Sequence, residues 1–384
     1  MLTTLDFPGT AASTAARPYR VLVCDDQPDV LHALQLLLKG QGYEAVTVDS
    51  PRALLRETRS EGFDLILADL NYTRDTTSGE EGLDLLAGLE SQGNTTPVIV
   101  MTAWGSIALA VEAMRRGACD FVQKPWDNQR VLAAIRKQAD SERRRQSELE
   151  IAANVQQQLF PRTLQRLPSI DYAGQCVPAR GVGGDYYDFL HLGEGSLGFV
   201  LADVSGKGIP AALLMANLQA CFRTQAAAGV LLPAELLQAV HKQFYLSTGS
   251  DRFATLFFGS YDDCTRRMHY VNCGHCAPLL LRASGELIKL EPTATMLGAF
   301  EEWDCGEEEV SLNAGDTLLL YSDGVTEAAN STGDDFSEDR LADILRDKRA
   351  ATAHDLVGEV VKAVSGFSGA SHTDDITVVA IRGV

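Results

Sequence analysis

With 384 residues, 45% of them hydrophobic, the chain is too long for one ordinary core and apolar enough to order most of its length as two or three domains. A net charge of −19 sets its surface against nucleic-acid phosphates and anionic lipid heads, so neither is an expected partner, and it suits divalent cations, which clustered carboxylates bind. Eight scattered cysteines, several in apolar strand-like runs, predict reduced buried thiols in a cytoplasm rather than a disulfide framework, and no apolar run is long enough for a membrane span.

The opening MLTTLDFPGTAASTAARPYR lacks a basic stretch followed by an apolar one, so it does not read as a signal peptide. Residues 1–17 are expected as a disordered tail. From Arg20 to about Arg136, strand and helix patterns alternate. YRVLVCDD, EAVTV, FDLILADL, TPVIVMTA and CDFVQKP are short apolar runs, each followed by a stretch with helical spacing. Five such strands alternating with helices predict a doubly wound, flavodoxin-like α/β domain over 18–138, with a buried parallel sheet. Ligands of such sheets sit beyond the carboxyl ends of the strands.

Residues 127–160 read as one long helix, apolar at each end, charged in the middle and stopped by Pro161; 139–164 is its linker part. Leu149, Ala152 or Ala153, Gln156 and Leu159 form a short seam that can face a partner helix, which makes a homodimer through the linker an expectation. From 165 to 384 strands adjoin strands. YYDFLHLGEGSLGFVLADVSG reads as a hairpin around Gly193-Glu194-Gly195. RFATLFFGSYD, RRMHYVNCGH, APLLLR, DTLLLYSDG and DDITVVAIRG follow. Helix patterns interrupt them at about 208–226, 233–247, 338–347 and 353–367. That order predicts an α+β domain of packed, largely antiparallel sheets.

Two sets of residues carry chemistry. In the first domain Asp25 and Asp26 end the first strand, Asp69 the third, Thr102 the fourth, and Lys124 the fifth, before Pro125. Parallel strands bring these ends to one edge. Three carboxylates there suit one Mg2+, Asp69 can accept a phosphoryl group, and a hydroxyl and an ammonium can hold its oxygens. Lys124-Pro125 suits a cis peptide. VLVCDD, LILADL, VIVMTA and FVQKP resemble the response-regulator receiver domains of two-component systems. That resemblance implies phosphorylation of Asp69 by a sensor histidine kinase. It also implies Mg2+ ligands from Asp26, Asp69 and the Asn71 carbonyl, with Asp25 more distant, and an aromatic switch residue at Phe121. The segment NYTRDTTSGEEGLDLL departs from the family in the length of its loop after Asp69.

In the second domain GGDYYDF, LADVSGKGIPAALLMANL, LLLYSDGVTEA and HTDDITVVAI each set an aspartate at the tip of a strand: Asp185, Asp203, Asp323 and Asp374. Gathered by folding, four carboxylates repel one another unless cations lie between them, and all-oxygen ligands fit Mg2+ or Mn2+. A pair of such metals activates water and holds phosphoryl oxygens for in-line attack. The order of these motifs resembles the metal-dependent PPM (protein phosphatase 2C-like) Ser/Thr phosphatases, in the branch of sporulation and stress-response phosphatases, from about 148 to 384. The resemblance implies an α-β-β-α sandwich. It implies metal ligation by Asp203, Asp323, Asp374 and the Val204 carbonyl, with Asp185 at the second metal, and Asp375 is the alternative to Asp374. It points to a phosphorylated anti-sigma-factor antagonist as substrate. Where the wider family often has a histidine two residues after the central aspartate, this chain has Ser205, followed by Gly206 and Lys207.

Other features read as structural. Cys273-Gly274-His275-Cys276 lies between strands rather than at a helix N-terminus, and no fourth zinc ligand stands nearby. Arg143-Arg144-Arg145 is flanked by Glu142 and Glu148, as on a solvated helix face. Two other readings stand against the switchable phosphatase. A non-catalytic adaptor is disfavoured by the four aspartates, and a DNA-binding response regulator by the acidic, strand-rich C-terminal part.

Overall fold

A computed structural model describes residues 3–4, 18–72, 80–102, 107–229, 232–249, 251–369 and 372–384. The expected tail at 1–17 lies outside these residues except for Thr3 and Thr4, which pair antiparallel with Thr163–Leu164. The unusual loop after Asp69 lies outside them over 73–79. The chain forms two compact units that meet in sequence between Glu148 and Leu149.

The N-terminal unit alternates β1 (Arg20–Cys24), α1 (Pro28–Lys39), β2 (Glu44–Val48), α2 (Pro51–Ser60), β3 (Leu65–Asp69), α3 (Glu80–Ser91), β4 (Val98–Thr102), α4 (Ile107–Arg115) and β5 (Asp120–Gln123). Its sheet is wholly parallel in the order β2-β1-β3-β4-β5. Helices cover both faces, so β3 and β4 are buried along their whole length, which is why they read as unbroken apolar runs. Successive residues feed opposite cores: Leu22, Ile66 and Val100 pack on one side, and Val21, Val23, Leu67 and Met101 on the other.

Helix α5 (Asn128–Gln157) runs through the boundary between the units. The C-terminal unit then takes β6 (Ile170–Val177), β7 (Asp185–Gly193), β8 (Ser196–Val204), α6 (Ile209–Ala227), α7 (Pro233–Ser247), β9 (Ala254–Asp262) and β10 (Arg267–Cys273). It continues with β11 (Leu279–Leu281), β12 (Leu287–Lys289), β13 (Glu308–Ser311), β14 (Thr317–Tyr321), α8 (Asp323–Thr326), α9 (Ser337–Asp347), α10 (Ala353–Ser368) and β15 (Ile376–Gly383). Two five-stranded antiparallel sheets result, β13-β10-β9-β8-β7 and β12-β11-β14-β15-β6.

The sheets stack face to face. Tyr172 of β6 meets Phe189 of β7 with ring centroids 4.7 Å apart, and Val379 and Ile381 of β15 join the same core as Phe199 and Phe257. The alternate residues of β15, Val378 and Ala380, face Val357, Val360 and Val364 of α10. On the outer face of the other sheet, Phe258 of β9 stacks on Phe222 of α6. The unit is therefore an α-β-β-α sandwich. Each fully buried Leu or Phe of these layers contributes roughly 1.5–3 kcal/mol. The sandwich brings the start of β7, the end of β8, the turn after β14 and the turn before β15 towards one another.

Candidate functional site

In the N-terminal unit all five predicted side chains end their strands on one edge. Asp25, Asp69 and Thr102 are buried. Ligand oxygens of Asp25, Asp26 and Asp69 lie within 4.8 Å of one another. The Lys124 ammonium donates to Asp25 Oδ2 at 2.6 Å and to Asp69 Oδ2 at 2.7 Å. Burial holds the Asp69 carboxyl above the ordinary carboxylate range, and Lys124 offsets this only in part. Three carboxylates against one ammonium leave negative charge in excess in a partly dry site, and the donors are all oxygen; that set fits a hard divalent cation.

The Asn71 N–H donates to Asp69 Oδ1 at 3.3 Å, while the Asn71 side-chain oxygen is buried without a partner. The Lys124-Pro125 bond is cis. Phe121 is half-exposed on β5. One residue escaped the sequence reading. Tyr72 is buried three positions after Asp69, and its phenol donates to Cys24 Sγ at 3.2 Å, tying the start of the following loop to β1.

In the C-terminal unit Asp185 and Asp203 are direct cross-strand partners on β7 and β8, where like charges repel. Asp323 opens α8, and Asp374 lies just before β15. The four interact electrostatically. Burial, then Asp323 and Asp374, push the Asp203 carboxyl up to about 7. Burial, then Asp203, push Asp185 well above its usual range, and burial, then Asp374, raise Asp323. Asp185 Oδ2 is buried without a hydrogen-bond partner. The missing Cβ of Gly184 would stand 2.6 Å from the Val204 carbonyl oxygen, so only glycine lets these backbones approach. An orphaned buried carboxylate oxygen among mutually repelling oxygen donors fits divalent cations.

The adjacent pair Asp374 and Asp375 divides sharply. Both oxygens of the buried Asp375 carboxylate accept backbone N–H bonds at 2.8 Å, from Ala179 and Gly184. Asp374 stays open, with Lys207 Nζ 2.7 Å from its Oδ2. Ser205 turns away from the acids: its hydroxyl accepts from the Phe253 N–H at 3.0 Å, and its carbonyl accepts from Arg252.

Gln156 corrects one expectation. It does not face a partner helix but is buried within the chain, bonded to Gly183. The Cys273–Cys276 turn joins β10 to β11, and both thiols are free. His275 in this turn is buried, with ring Nδ1 2.9 Å from Thr255 Oγ1 and its backbone N–H donating to Asn272 Oδ1. Burial lowers its pKa to about 4. The native state therefore keeps His275 neutral, whereas the unfolded chain takes up a proton near pH 6.5. The stability this contributes is complete above pH 6.5 and is lost as pH falls towards 4. In urea unfolding of the C-terminal unit, acidification from pH 7.5 to 5 is expected to cost about 2 kcal/mol more in wild type than in His275→Gln. Equal losses would show that another group sets the acid limit.

Among the described residues no helix is long and apolar enough to cross a membrane. The chain matches the family model for the response regulator receiver domain over residues 21–136 and that for stage II sporulation protein E (SpoIIE) over 193–383. It is 29% identical to phosphoserine phosphatase RsbU of Bacillus subtilis, over 62% of this chain and 70% of that protein. To phosphoserine phosphatase RsbP of the same organism it is 26% identical, over 59% of this chain and 55% of that protein. The N-terminal part is 34% identical to transcriptional regulatory protein ZraR of Escherichia coli, over 30% of this chain and a quarter of that protein. The SiaA-PP2C domain of Pseudomonas aeruginosa shares the fold, with a TM-score of 0.56 at 22% identity, over 64% of this chain and 99% of that one. The chain thus belongs to the response regulators in which a receiver domain is joined to a SpoIIE-type phosphatase domain of the PPM family.

Proposed function

We propose that the C-terminal domain (165–384) hydrolyses phosphoserine or phosphothreonine on a protein, and that phosphorylation of Asp69 by a sensor histidine kinase sets its rate. The observation that carries this reading is that Asp185 stands opposite Asp203 across the strands while Asp323 and Asp374 act on the same Asp203 carboxyl, which burial first and these two acids next push up to about 7. Such mutual repulsion is costly in a binding module and useful in a metal-dependent hydrolase. Asp203, Asp323, Asp374 and the Val204 carbonyl hold the cations, with Asp185 at the second of two Mg2+ or Mn2+ ions. When bound, the cations supply an activated water and neutralise the phosphoryl oxygens. Asp375 fixes the loop before Asp185 through its two backbone bonds and favours Asp374, not itself, as the ligand. Lys207 adds positive charge at the rim, beside Asp374.

In the receiver, Asp25, Asp26, Asp69 and the Asn71 carbonyl hold Mg2+, Asp69 is the nucleophile, and Thr102 and Lys124 hold the transferred phosphoryl group. Phosphorylation shifts the receiver between two pre-existing states, with Thr102 and Phe121 reporting the change. RsbU and RsbP are named phosphoserine phosphatases, and the substrate proposed by analogy is a phosphorylated anti-sigma-factor antagonist, acting with this protein in the cytoplasm. Homodimerisation through the linker helix is part of the proposal; Ile151 and Val155 are the exposed apolar residues that α5 offers.

Acetyl phosphate is expected to add one phosphoryl group to the wild type and none to Asp69→Asn, read by intact mass. The same treatment is expected to change turnover of the phosphorylated antagonist only where Asp69 is present. Phosphorylation without any change in turnover would remove the switch from the proposal. Absence of turnover on both p-nitrophenyl phosphate and phosphoprotein would return the adaptor reading.

A further inference from the structure

The helix that leads into the C-terminal unit ends on a side chain that the chemistry above leaves unused. Gln156, in the last turn of α5, is 5% exposed, whereas Val155 and Gln157 face solvent. Its amide makes a two-point clasp on one glycine: Nε2 donates to the Gly183 carbonyl at 2.8 Å, and the Gly183 N–H donates to Oε1 at 3.1 Å. An amide that pairs with both backbone groups of one residue fixes the orientation of that residue as well as its position.

On its other side Gly183 meets the Asp375 carboxylate so closely that a Cβ would overlap it. Gly184 donates to that carboxylate and lies against the Val204 carbonyl. The Gly183-Gly184 step is therefore wedged between Gln156, Asp375 and Val204, and Asp185 is the next residue. Two glycines in a row have the greatest backbone freedom available, and here contacts from outside the segment remove it.

We propose that Gln156 is a positioning residue for the Asp185–Val204 end of the candidate metal site. This rests on reading Asp185 and Val204 as cation ligands. Displacing the last turn of α5 moves Gly183, and with it the Gly184 N–H and the Asp185 carboxylate.

The test is calorimetric titration of Mn2+ into the full chain carrying Asp26→Asn, which removes a ligand of the receiver set. Adding Gln156→Met is expected to weaken Mn2+ binding about tenfold or more, the usual cost of losing a partner that orients a ligand. Hydrogen exchange at the Gly183 and Gly184 amides is expected to accelerate. Gln156→Glu keeps the acceptor for the Gly183 N–H and loses the donor to its carbonyl, so an intermediate loss is expected if the Met variant does not fold. Gln219 Nε2 donates to the Leu159 carbonyl at 3.2 Å, so removing it loosens the same region without touching Gly183. Gln219→Met is expected to change Mn2+ affinity by less than about twofold. Wild-type affinity in both Gln156 variants, or an equal loss in Gln219→Met, overturns the proposal. No Mn2+ binding by the Asp26→Asn chain alone overturns the ligand reading and this inference with it.

Discussion

Asp203→Asn is expected to reduce Mn2+-dependent hydrolysis of p-nitrophenyl phosphate by at least about 100-fold, because partners that merely orient a metal ligand already cost 10–100-fold when lost. Asp203 is the acid most exposed to its fellows: it opposes Asp185 across the strands and feels Asp323 and Asp374 directly. The same substitution is expected to raise the unfolding temperature of the metal-free C-terminal unit. The sign follows from the shift. The folded carboxyl sits near 7, above the roughly 3.9 of an unfolded aspartate, so the folded state pays for ionisation across that window. That stability is present at low pH and is lost as pH rises through the window. At pH 7.5 an amide escapes the loss. A variant that is less active and more stable without metal is the signature of a site built to hold cations. Turnover within tenfold of wild type, at saturating Mn2+, would remove Asp203 from the site.

Gly324→Ala is expected to lower stability by roughly 3 kcal/mol, at the upper end for an added methyl group, and to weaken Mn2+ dependence as well. A Cβ at 324 would overlap the Asp375 carbonyl oxygen and come within 3.3 Å of the Asp374 Cβ. Neither neighbour can give easily. Ser322 Oγ donates to the Asp375 carbonyl at 3.1 Å, and the Thr377 N–H donates back to Ser322 Oγ at 3.0 Å. The extra methyl therefore drives α8 away from the start of β15, separating Asp323 from Asp374. Gly181→Ala provides the contrast. Gly181 has φ +82° with nothing within 4 Å of a Cβ, so its loss costs only backbone strain, about 1 kcal/mol. Urea unfolding of the two variants distinguishes overlap from strain. Equal, small losses would mean that the segments holding Asp323 and Asp374 can separate freely.

Much of the architecture was legible in the residues. β3 and β4 are buried on both faces, so LILAD and VIVMT appear as unbroken apolar runs, and parallel winding then carries Asp69 and Thr102 to one edge. Gly193-Glu194-Gly195 marked the β7–β8 turn because tight reversals favour glycine. β6 was not legible: Gly174, Gln175 and Cys176 interrupt its pattern, and it is a strand because β15 pairs with it along its length. β12 and β13 are short edge strands with exposed charges, defined by their partners rather than by their own sequences.

At the site, sequence determined which residue types are present and their order: carboxylates at strand ends beside glycines, in four segments too far apart to interact without folding. Only the tertiary structure decided the orientation of adjacent, chemically identical side chains. Asp375 turns onto the amides of Ala179 and Gly184, nearly 200 residues upstream, while Asp374 remains open beside Lys207. The same holds for Gln156, one of three consecutive glutamines, Gln156-Gln157-Gln158. Composition and spacing do not distinguish them; the position of Gly183 does, because a buried amide must find partners for both its donor and its acceptor, and the fold supplies both at one residue.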